Sequence, residues 1–353
     1  VHTYRITPLS LWNAASAGLS AEEILGGLQQ HAKYPLPDNV IVEIEEAIAR
    51  YGRVRLVRDP YDPQQLRLMS DDALLLMELE RNRHVKTYVI GRKGEHTLLV
   101  PASRRGHVKQ ALVKAGYPAE DLVGYVRGTP LSFKLREQTA EGESFRIRRY
   151  QHDASEIFWA GGSEAGGSGV VVLPCGAGKT IVGMEVMEKV QANTLILTPS
   201  TVAARQWRRE LLDKTTLDPD KIGEYSGSTK TIAPVTVATY QILTHRKRGT
   251  KNKNLPMEEE FPHFGLFNEN DWGLIIYDEV HLLPAPVFRI TAEIQARRRL
   301  GLTATLVRED GREEDVFSLI GPKKYDVPWH DLERQGWIAP AQCSEIRVEM
   351  PKS

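Results

Sequence analysis

A glycine-rich loop joins a short apolar segment to the start of an amphipathic helix near the middle of this 353-residue chain. The apolar segment is residues 170–173, and the loop that follows reads Pro174-Cys175-Gly176-Ala177-Gly178-Lys179-Thr180. Backbone N–H groups can converge on an anion in such a loop because glycine carries no obstructing side chain, and the N-terminus of the next helix adds positive potential. The order strand, loop, helix therefore predicts a phosphate-binding loop in an α/β domain.

Two side chains at the end of this loop have the chemistry that a nucleotide site needs. Lys179 would reach the β and γ phosphates of ATP, and the hydroxyl of Thr180 would take one position on Mg²⁺. The strict pattern GxxxxGKT has glycine where this chain has Leu173, so the first glycine is missing here. The alternative interpretation is a flexible glycine turn with an incidental lysine, which the flanking strand and helix disfavour.

Short apolar runs recur through the C-terminal half of the chain. They lie at residues 170–173, 194–198, 235–239, 273–277 and 300–303, with helix-length polar or amphipathic segments between several of them. Strands that are apolar on both faces are covered by helices on both sides. The pattern predicts the α/β class with a doubly wound parallel sheet.

A pair of acidic residues directly follows the run at 273–277. Asp278 is placed to bind Mg²⁺ through water, and Glu279 is placed to polarise the water that attacks the γ-phosphate. Two acids after a strand could also form a solvated turn. Together with the phosphate loop, they predict the second half of a nucleotide site.

The N-terminal third is patterned differently. Helix caps at Thr7, Ser20 and Asp38 predict three short helices before residue 55. Two strands around an Asp-Pro-Tyr-Asp-Pro turn follow, so this part resembles a winged-helix module. A helix capped by Ser70, strands at 85–90 and 97–100, and a basic helix at 103–115 predict a small α/β unit. A Gly/Ser-rich loop at 160–169 separates it from the strands of the C-terminal half.

Composition excludes several classes of protein. With 41% hydrophobic and 26% charged residues the chain is neither disordered nor fibrous, and no segment approaches the roughly 18 to 20 apolar residues of a membrane span. The N-terminus lacks a signal-peptide pattern, and the two cysteines are far apart and are expected to be reduced thiols. We expect a cytoplasmic, nucleoid-associated protein in a prokaryote or a nuclear protein in a eukaryote, with no membrane partner.

The net charge of zero conceals two basic segments. The 46 Lys and Arg balance the 46 Asp and Glu, but basic residues exceed acidic ones in 51–150 and again in 201–250. The second excess continues into a run at 245–253 that includes Arg246, Lys247 and Arg248. Such a run is most often a solvated loop; the alternative is contact with DNA phosphates.

These motifs together resemble superfamily 2 helicases and, more narrowly, the XPB family of DNA helicases and translocases. The resemblance rests on the loop LPCGAGKT, the tetrad at 278–281, the segment LTATLVRED at 302–310 and the string IGPKKY at 320–325. It also covers the helical N-terminus, whereas residues 60–145 match only loosely. The family implies a RecA-like fold for the parallel sheet.

The resemblance implies a division into four parts. Residues 1–60 would be a helical N-terminal domain, 61–145 a damage-recognition domain, and 146–335 the first RecA-like helicase domain, which binds ATP. Residues 336–353 would begin the linker to a second RecA-like domain, which this chain lacks. We therefore expect the isolated chain to be largely inactive.

The resemblance also implies roles for further residues. Arg149 and Gln151 would read adenine, since an amide offers both a donor and an acceptor. His281, Thr303 and Thr305 would couple the γ-phosphate to domain movement. The segment Arg308-Glu309-Asp310 matches a motif implicated in strand separation, although alternating charges could equally form a surface salt bridge.

The expected function is that of an ATP-dependent 3′ to 5′ DNA helicase or translocase, which hydrolyses ATP with Mg²⁺ and acts in DNA opening and nucleotide excision repair. The direction of movement on DNA and the repair pathway are implied by the resemblance alone. Expected partners are duplex and single-stranded DNA, with a repair nuclease or subunits of a transcription and repair complex. The alternatives are an RNA helicase, or a module that binds DNA or protein without catalysis.

Overall fold

The computed structural model describes residues 6–246, 261–294, 297–306, 308 and 311–340. Three helices open this part of the chain, α1 (Pro8–Ser16), α2 (Ala21–His31) and α3 (Asp38–Arg50). Thr7 and Ser20 cap the first two helices, as predicted, and each forms a capping box. The third begins at Asp38 itself, after Pro37, without a side-chain cap. The indole of Trp12 donates to the carbonyl of Ala47 over 3.1 Å and ties α1 to α3.

The next unit is a five-stranded sheet packed against two helices. Its elements are β1 (Arg55–Arg58), β2 (Gln65–Met69), α4 (Ala73–Arg81), β3 (Gly91–Arg92), β4 (Thr97–Pro101), α5 (Arg105–Lys114) and β5 (Glu120–Asp121). The strands follow the order β3-β4-β2-β1-β5. Only β1 and β5 pair in parallel within it. Alternate residues of β2, Leu66 and Leu68, enter its core.

Several details of this unit differ from the sequence-based expectation. The predicted strand at 85–90 is wrong, because the carbonyl of Asn82 accepts hydrogen bonds from the next turn of chain and Lys86–Tyr88 forms a 3₁₀ helix. The N-cap of α4 is Asp72 rather than Ser70, since its carboxylate accepts from two N–H groups of the first turn. The hairpin β1–β2 is part of this sheet rather than a wing on the three helices. The boundary predicted at residue 60 falls inside that hairpin.

The C-terminal half contains a seven-stranded sheet in which every described pair is parallel. The strands are β6 (Ser168–Val172), β7 (Thr194–Thr198), β8 (Ile222–Tyr225), β9 (Val235–Thr239), β10 (Leu274–Asp278), β11 (Arg298–Thr303) and β12 (Lys323–Asp326). Their order in the sheet is β12-β6-β11-β10-β7-β9-β8.

Helices cover both faces of this sheet, and two apolar cores lie between them and the strands. The helices are α6 (Arg149–Trp159), α7 (Lys179–Val190), α8 (Thr201–Lys214), α9 (Tyr240–Leu243), α10 (Leu266–Glu269), α11 (Ala285–Glu293), α12 (Glu313–Leu319) and α13 (Trp329–Arg334). Short 3₁₀ turns lie at Ala102–Arg104, Ala160–Gly162, Pro219–Lys221 and Val280–Leu282. The predicted doubly wound parallel sheet is confirmed.

The two units contact each other through α5, which packs against α11 and α12. Gln110 of α5 donates to Asp315 of α12 over 2.9 Å. The helical N-terminus joins the same junction, where the rings of Trp12 and Phe317 lie 6.3 Å apart. None of the helices described is long and apolar enough to cross a membrane.

Candidate nucleotide-binding site

The glycine loop lies at the carboxyl edge of the parallel sheet, between β6 and α7. Leu173 is fully buried and its N–H donates to the carbonyl of Thr303 over 3.0 Å, so the residue in the place of the first glycine prolongs β6. Gly176 and Gly178 both have φ of +80°, in the left-handed region that favours glycine. Gly178 caps α7, which begins at Lys179. The loop thus places the N-terminus of α7 directly after the end of β6, and the first N–H groups of a helix are available to bind an anion.

Lys179 and Glu279 meet across this edge although 100 positions separate them in the chain. The ammonium Nζ lies 3.2 Å from Glu279 Oε1. Only β11 lies between β6 and β10 in the sheet, so the ends of the two strands that carry these residues are close. Glu279 has φ of +49°, a conformation that a residue with a Cβ rarely adopts.

The second carboxylate oxygen of Glu279 is buried and has no hydrogen-bond partner among the described residues. His281 Nδ1 is at 3.4 Å from it, too far for a good hydrogen bond. A buried carboxylate oxygen normally has a partner. An additional donor, such as a water molecule, would satisfy this oxygen.

Asp278 is held from two other elements. Its Oδ2 accepts a hydrogen bond from the indole Nε1 of Trp207 over 2.9 Å, and its main-chain oxygen accepts one from the Tyr240 hydroxyl over 2.9 Å. Burial raises the pKa of the Asp278 carboxyl, and the Trp207 hydrogen bond opposes that rise. Trp207 and Tyr240 are not among the predicted site residues. Each looks like an ordinary core residue of a helix, so no sequence signal identifies it.

The donors at this edge fit a hard divalent cation. Asp278 and Thr180 offer oxygen atoms, which Mg²⁺ prefers, and Mg²⁺ is usually held by one or two protein oxygens together with substrate phosphates. Within the described ranges, no group of three or more His, Cys, Asp or Glu side chains could hold a metal alone. A cation held by Asp278 and Thr180 would complete its ligands with the phosphates of a nucleotide.

Gln151 lies directly against the phosphate loop. Its side-chain Nε2 donates to the carbonyl of Ala177 over 2.9 Å, and its Oε1 accepts from the N–H of Arg148 over 2.9 Å. The hydroxyl of Tyr150 donates to the same Ala177 carbonyl over 2.7 Å. A Cβ on Gly178 would lie 2.4 Å from Gln151 Nε2, so this glycine is needed for the close approach.

The predicted adenine-reading motif borders a cleft of about 610 Å³ formed by α6, β12 and α13. Arg149 lines the cleft with an exposed side chain whose Nε lies 3.8 Å from the Asp153 carboxylate. Gln151 uses both of its amide atoms within the protein. Adenine contact by Arg149 and Gln151 stays a prediction.

His281 and the turn after β11 are connected. The Nδ1 of His281 and the hydroxyl of Thr303 share a hydrogen bond of 2.8 Å, and the N–H of Thr305 donates to the same hydroxyl over 3.2 Å. The structure thus brings Lys179, Glu279, His281 and Thr303 into one continuous chain of contacts. Their role in coupling stays a prediction.

Arg308 is buried, with 9% of its surface exposed, so its side chain does not lie on the surface. Its guanidinium donates to the carbonyls of His281 over 2.8 Å and Leu283 over 3.1 Å, and it stacks over Phe288. Arg308 therefore stabilises the turn that follows Glu279. Glu309 and Asp310 lie outside the described residues.

The basic segments are only partly described. Arg246 lies over the ring of Phe261 at 5.4 Å, whereas Lys247 and Arg248 lie outside the described residues. In the first segment, Arg105 and Lys109 are buried against Asp121, so they cannot face DNA. Its exposed basic residues between positions 81 and 114 include Arg81, Arg83, Lys86, Lys93, Arg104 and Lys114.

Comparison with known proteins gives matches along the chain. A family model described as "Type III restriction enzyme, res subunit" matches residues 144–308, and one described as "Helicase conserved C-terminal domain" matches residues 1–94. A protein of Mycobacterium tuberculosis named "DNA 3'-5' helicase XPB" is 53% identical over 353 residues, which are 100% of this chain and 60% of that protein.

Two further relatives have similar names. A "DNA 3'-5' helicase XPB" of Kineococcus radiotolerans is 53% identical over 99% of this chain and 59% of its own length. A "General transcription and DNA repair factor IIH helicase/translocase subunit XPB" of Antonospora locustae is 33% identical over 99% of this chain and 50% of its own length. The chain thus spans half to three fifths of the length of these relatives.

Proposed function

The chain belongs to the XPB family of helicases, and from this premise we propose that it carries the ATP-binding part of a DNA helicase or translocase. The contact between Lys179 and Glu279 is the observation that supports this proposal most strongly. It joins a phosphate-loop lysine and a strand-end carboxylate at the edge where nucleotides bind in parallel sheets. The Gln151 contact with the same loop supports it independently.

Each of these residues would have a separate role. The loop N–H groups and Lys179 would hold the phosphates, and Thr180 and Asp278 would hold Mg²⁺, which when bound neutralises charge that develops on the phosphoryl group. When ATP binds, the ammonium of Lys179 would leave Glu279 and pair with the γ-phosphate, because one ammonium cannot fully pair with both. The freed carboxylate of Glu279 would then orient the attacking water and accept its proton.

The hydrogen bond between His281 and Thr303 would pass the change at Glu279 to the turn after β11. Arg308 would act in the same unit, since it holds the carbonyls of the turn that contains His281. Hydroxyl and imidazole groups change partners readily when a neighbouring charge leaves. Loss of the γ-phosphate would therefore alter the segment that includes Thr305 and Arg308.

The names of the relatives support a finer proposal. From them we infer 3′ to 5′ movement on DNA and work in transcription and DNA repair as a subunit of a larger complex. Action in DNA opening and nucleotide excision repair, and association with a repair nuclease, are inferred from the family resemblance of the sequence. Such a protein would act where the DNA is, at the nucleoid of a prokaryote or in a nucleus. The 353 residues span half to three fifths of these relatives, and we infer that a second RecA-like domain lies elsewhere in the full-length protein.

The proposal is tested by ATP hydrolysis in the full-length protein, measured with duplex DNA, single-stranded DNA and RNA. We expect DNA to stimulate hydrolysis and RNA to have little effect. Stimulation by RNA alone would instead indicate an RNA helicase. DNA binding without any nucleotide affinity would indicate a module that binds without catalysis.

Neutralising the basic run should weaken DNA binding without regard to sequence. We expect a variant with Arg246, Lys247 and Arg248 changed to Gln to bind unrelated duplexes with similarly reduced affinity. Phosphate contacts release counterions, so the slope of log affinity against log salt should become shallower, by about 0.9 for each phosphate that is no longer neutralised. Changing Lys33 and Arg50 to Gln controls for a general loss of positive charge. An unchanged salt slope would show that the run is a solvated loop.

Residues 1–353 alone should bind ATP weakly and should not separate DNA strands. The residues described at the site form one wall of a nucleotide cleft, and an arginine from a second domain is worth about a thousandfold or more in turnover. Stepping along DNA also needs two domains that open and close with each ATP. Strand displacement and ATPase assays of residues 1–353 beside the full-length protein measure this. Robust unwinding by the short form would contradict the expectation.

A further inference from the structure

Trp207 is a buried tryptophan that contacts both halves of the nucleotide site. It lies on α8, 1% exposed, and its indole N–H donates to Asp278 Oδ2 over 2.9 Å. The opposite end of the same ring packs against α7, the helix that begins at Lys179. A Cβ at position 183 would lie only 2.5 Å from the ring, so the indole fits here because residue 183 is glycine.

Gly183 lies one helical turn after Lys179. Glycine in the middle of a helix weakens it, so its presence there needs a reason. The reason in this structure is the approach of the indole, which reaches across α7 to a carboxylate at the end of β10. Trp207 is therefore placed to fix the spacing between the helix of the phosphate loop and the strand that carries the metal-binding acid.

We propose that Trp207 is a positioning residue for the cation site: it holds Asp278 Oδ2 so that the other carboxylate oxygen faces the cation. This inference rests on the proposed function of the site. An indole N–H suits this task because it is a donor with no acceptor lone pair, so it cannot itself compete for Mg²⁺. The indole is also rigid, unlike the long side chains of Lys or Arg.

The backbone of Asp278 is restrained from the other side by the Tyr240 hydroxyl. With the main chain fixed at one end and Oδ2 fixed at the other, the carboxylate cannot rotate freely about its Cβ–Cγ bond. Loss of the indole N–H frees that rotation and leaves Oδ2 without its donor. Groups that orient a metal ligand in this way typically contribute about 10- to 100-fold to metal affinity.

The test is the Mg²⁺ dependence of nucleotide binding in the full-length protein, measured by calorimetry with the non-hydrolysable analogue adenylyl-imidodiphosphate. Trp207→Phe keeps an aromatic ring and removes the donor. We expect the Mg²⁺ concentration for half-maximal binding to rise about tenfold. Binding of the analogue without metal should change by less than about twofold, because the phosphate loop and Lys179 are unaltered.

Trp272→Phe is a matched control. Trp272 is also fully buried and its indole N–H donates to the carbonyl of Leu266 over 2.9 Å, but it precedes β10 at the opposite edge of the sheet. We expect this variant to lose a similar amount of thermal stability and to keep the wild-type Mg²⁺ dependence. A rise in the Mg²⁺ requirement of both variants would overturn the proposal, because it would reflect general loosening of the domain.

Two further variants separate orientation from packing. Replacing Trp207 by 3-benzothienylalanine keeps the shape of the ring and removes only the N–H, so it should reproduce the effect of Trp207→Phe even if the latter folds poorly. In an Asp278→Asn background, Trp207→Phe should have no additional effect on the Mg²⁺ requirement. An additional rise of about tenfold in that background would overturn the proposal.

The outcomes also distinguish this inference from the proposed function. Wild-type protein that shows no Mg²⁺-dependent binding of the analogue would overturn both. Wild-type protein that binds normally, beside a Trp207→Phe or benzothienylalanine variant with unchanged Mg²⁺ dependence, would overturn this inference and leave the proposed function standing.

Discussion

Lys179→Ala should weaken ATP binding by about tenfold to a hundredfold, since a lost hydrogen bond between charged groups is worth about 1.5–3 kcal/mol. Glu279→Gln should spare binding and lower hydrolysis by the full-length protein by about 10²- to 10⁴-fold, the usual contribution of a general base. The two residues pair at 3.2 Å in the free protein, yet they would separate when ATP binds. Calorimetry with Mg²⁺ measures the first effect, and steady-state ATPase assays measure the second.

Lys189→Ala is the control for removing an ammonium from the same helix. Lys189 is near the end of α7 and pairs with Glu156 and Glu185, away from the loop. Its removal should leave ATP affinity unchanged. Equal losses of affinity in Lys179→Ala and Glu279→Gln would contradict the separate roles, because Glu279 would then contribute to binding rather than to hydrolysis.

Asp121→Asn should lower the free energy of unfolding by about 3 kcal/mol or more, the usual cost of removing one partner from a buried ion pair. Asp121 accepts hydrogen bonds from Arg105, at 2.7 Å, and lies 3.1 Å from the Lys109 ammonium, and all three side chains are at most 10% exposed. The substitution leaves two buried cations without their carboxylate. Chemical denaturation at neutral pH measures the loss.

The same network predicts a dependence of stability on pH. Burial alone would raise the pKa of the Asp121 carboxyl. The positive charges of Arg105 and Lys109 lower this pKa by more than burial raises it, so it lies below its ordinary value of 3.8. As the pH falls, the Asp121 carboxylate is protonated in the unfolded chain at a higher pH than in the folded protein. The stabilisation that this network provides is therefore complete above pH 3.8 and is lost as the pH falls below that value. Asp121→Asn should therefore show a shallower acid dependence than the wild type.

Asp71→Asn is the matched control for the loss of an aspartate from an ion pair. Asp71 pairs with Arg55 at 3.0 Å, but its side chain is 95% exposed. Exposed pairs contribute about 1 kcal/mol at most. A loss of stability in Asp121→Asn no larger than in this control would show that the buried network contributes little.

Most of the parallel sheet and the core of the site can be read from the sequence. Strands covered on both faces appear as short apolar runs, and a phosphate loop has a specific order of glycine, lysine and threonine. These are local signals, because the apolar run, the loop and the helix start are adjacent in the chain. The placement of Lys179 and Glu279 at one site also follows, since the carboxyl ends of all strands of a parallel sheet lie at the same edge, although β11 separates β6 from β10. The edge strands β8 and β12 are partly exposed and lack that apolar signal, so the sequence does not reveal them.

Contacts between distant segments needed the folded structure. Trp207 and Arg308 look in the sequence like a core residue and a surface charge, yet one contacts Asp278 and the other holds carbonyls of the turn after Glu279. The hairpin β1–β2 pairs with β4 on one side and β5 on the other. Its local sequence does not specify these partners, because they depend on how distant segments pack. Local patterns specify which residues prefer strand, helix or loop. The partner of a buried donor or charge depends instead on which segments the fold brings within about 3 Å of it.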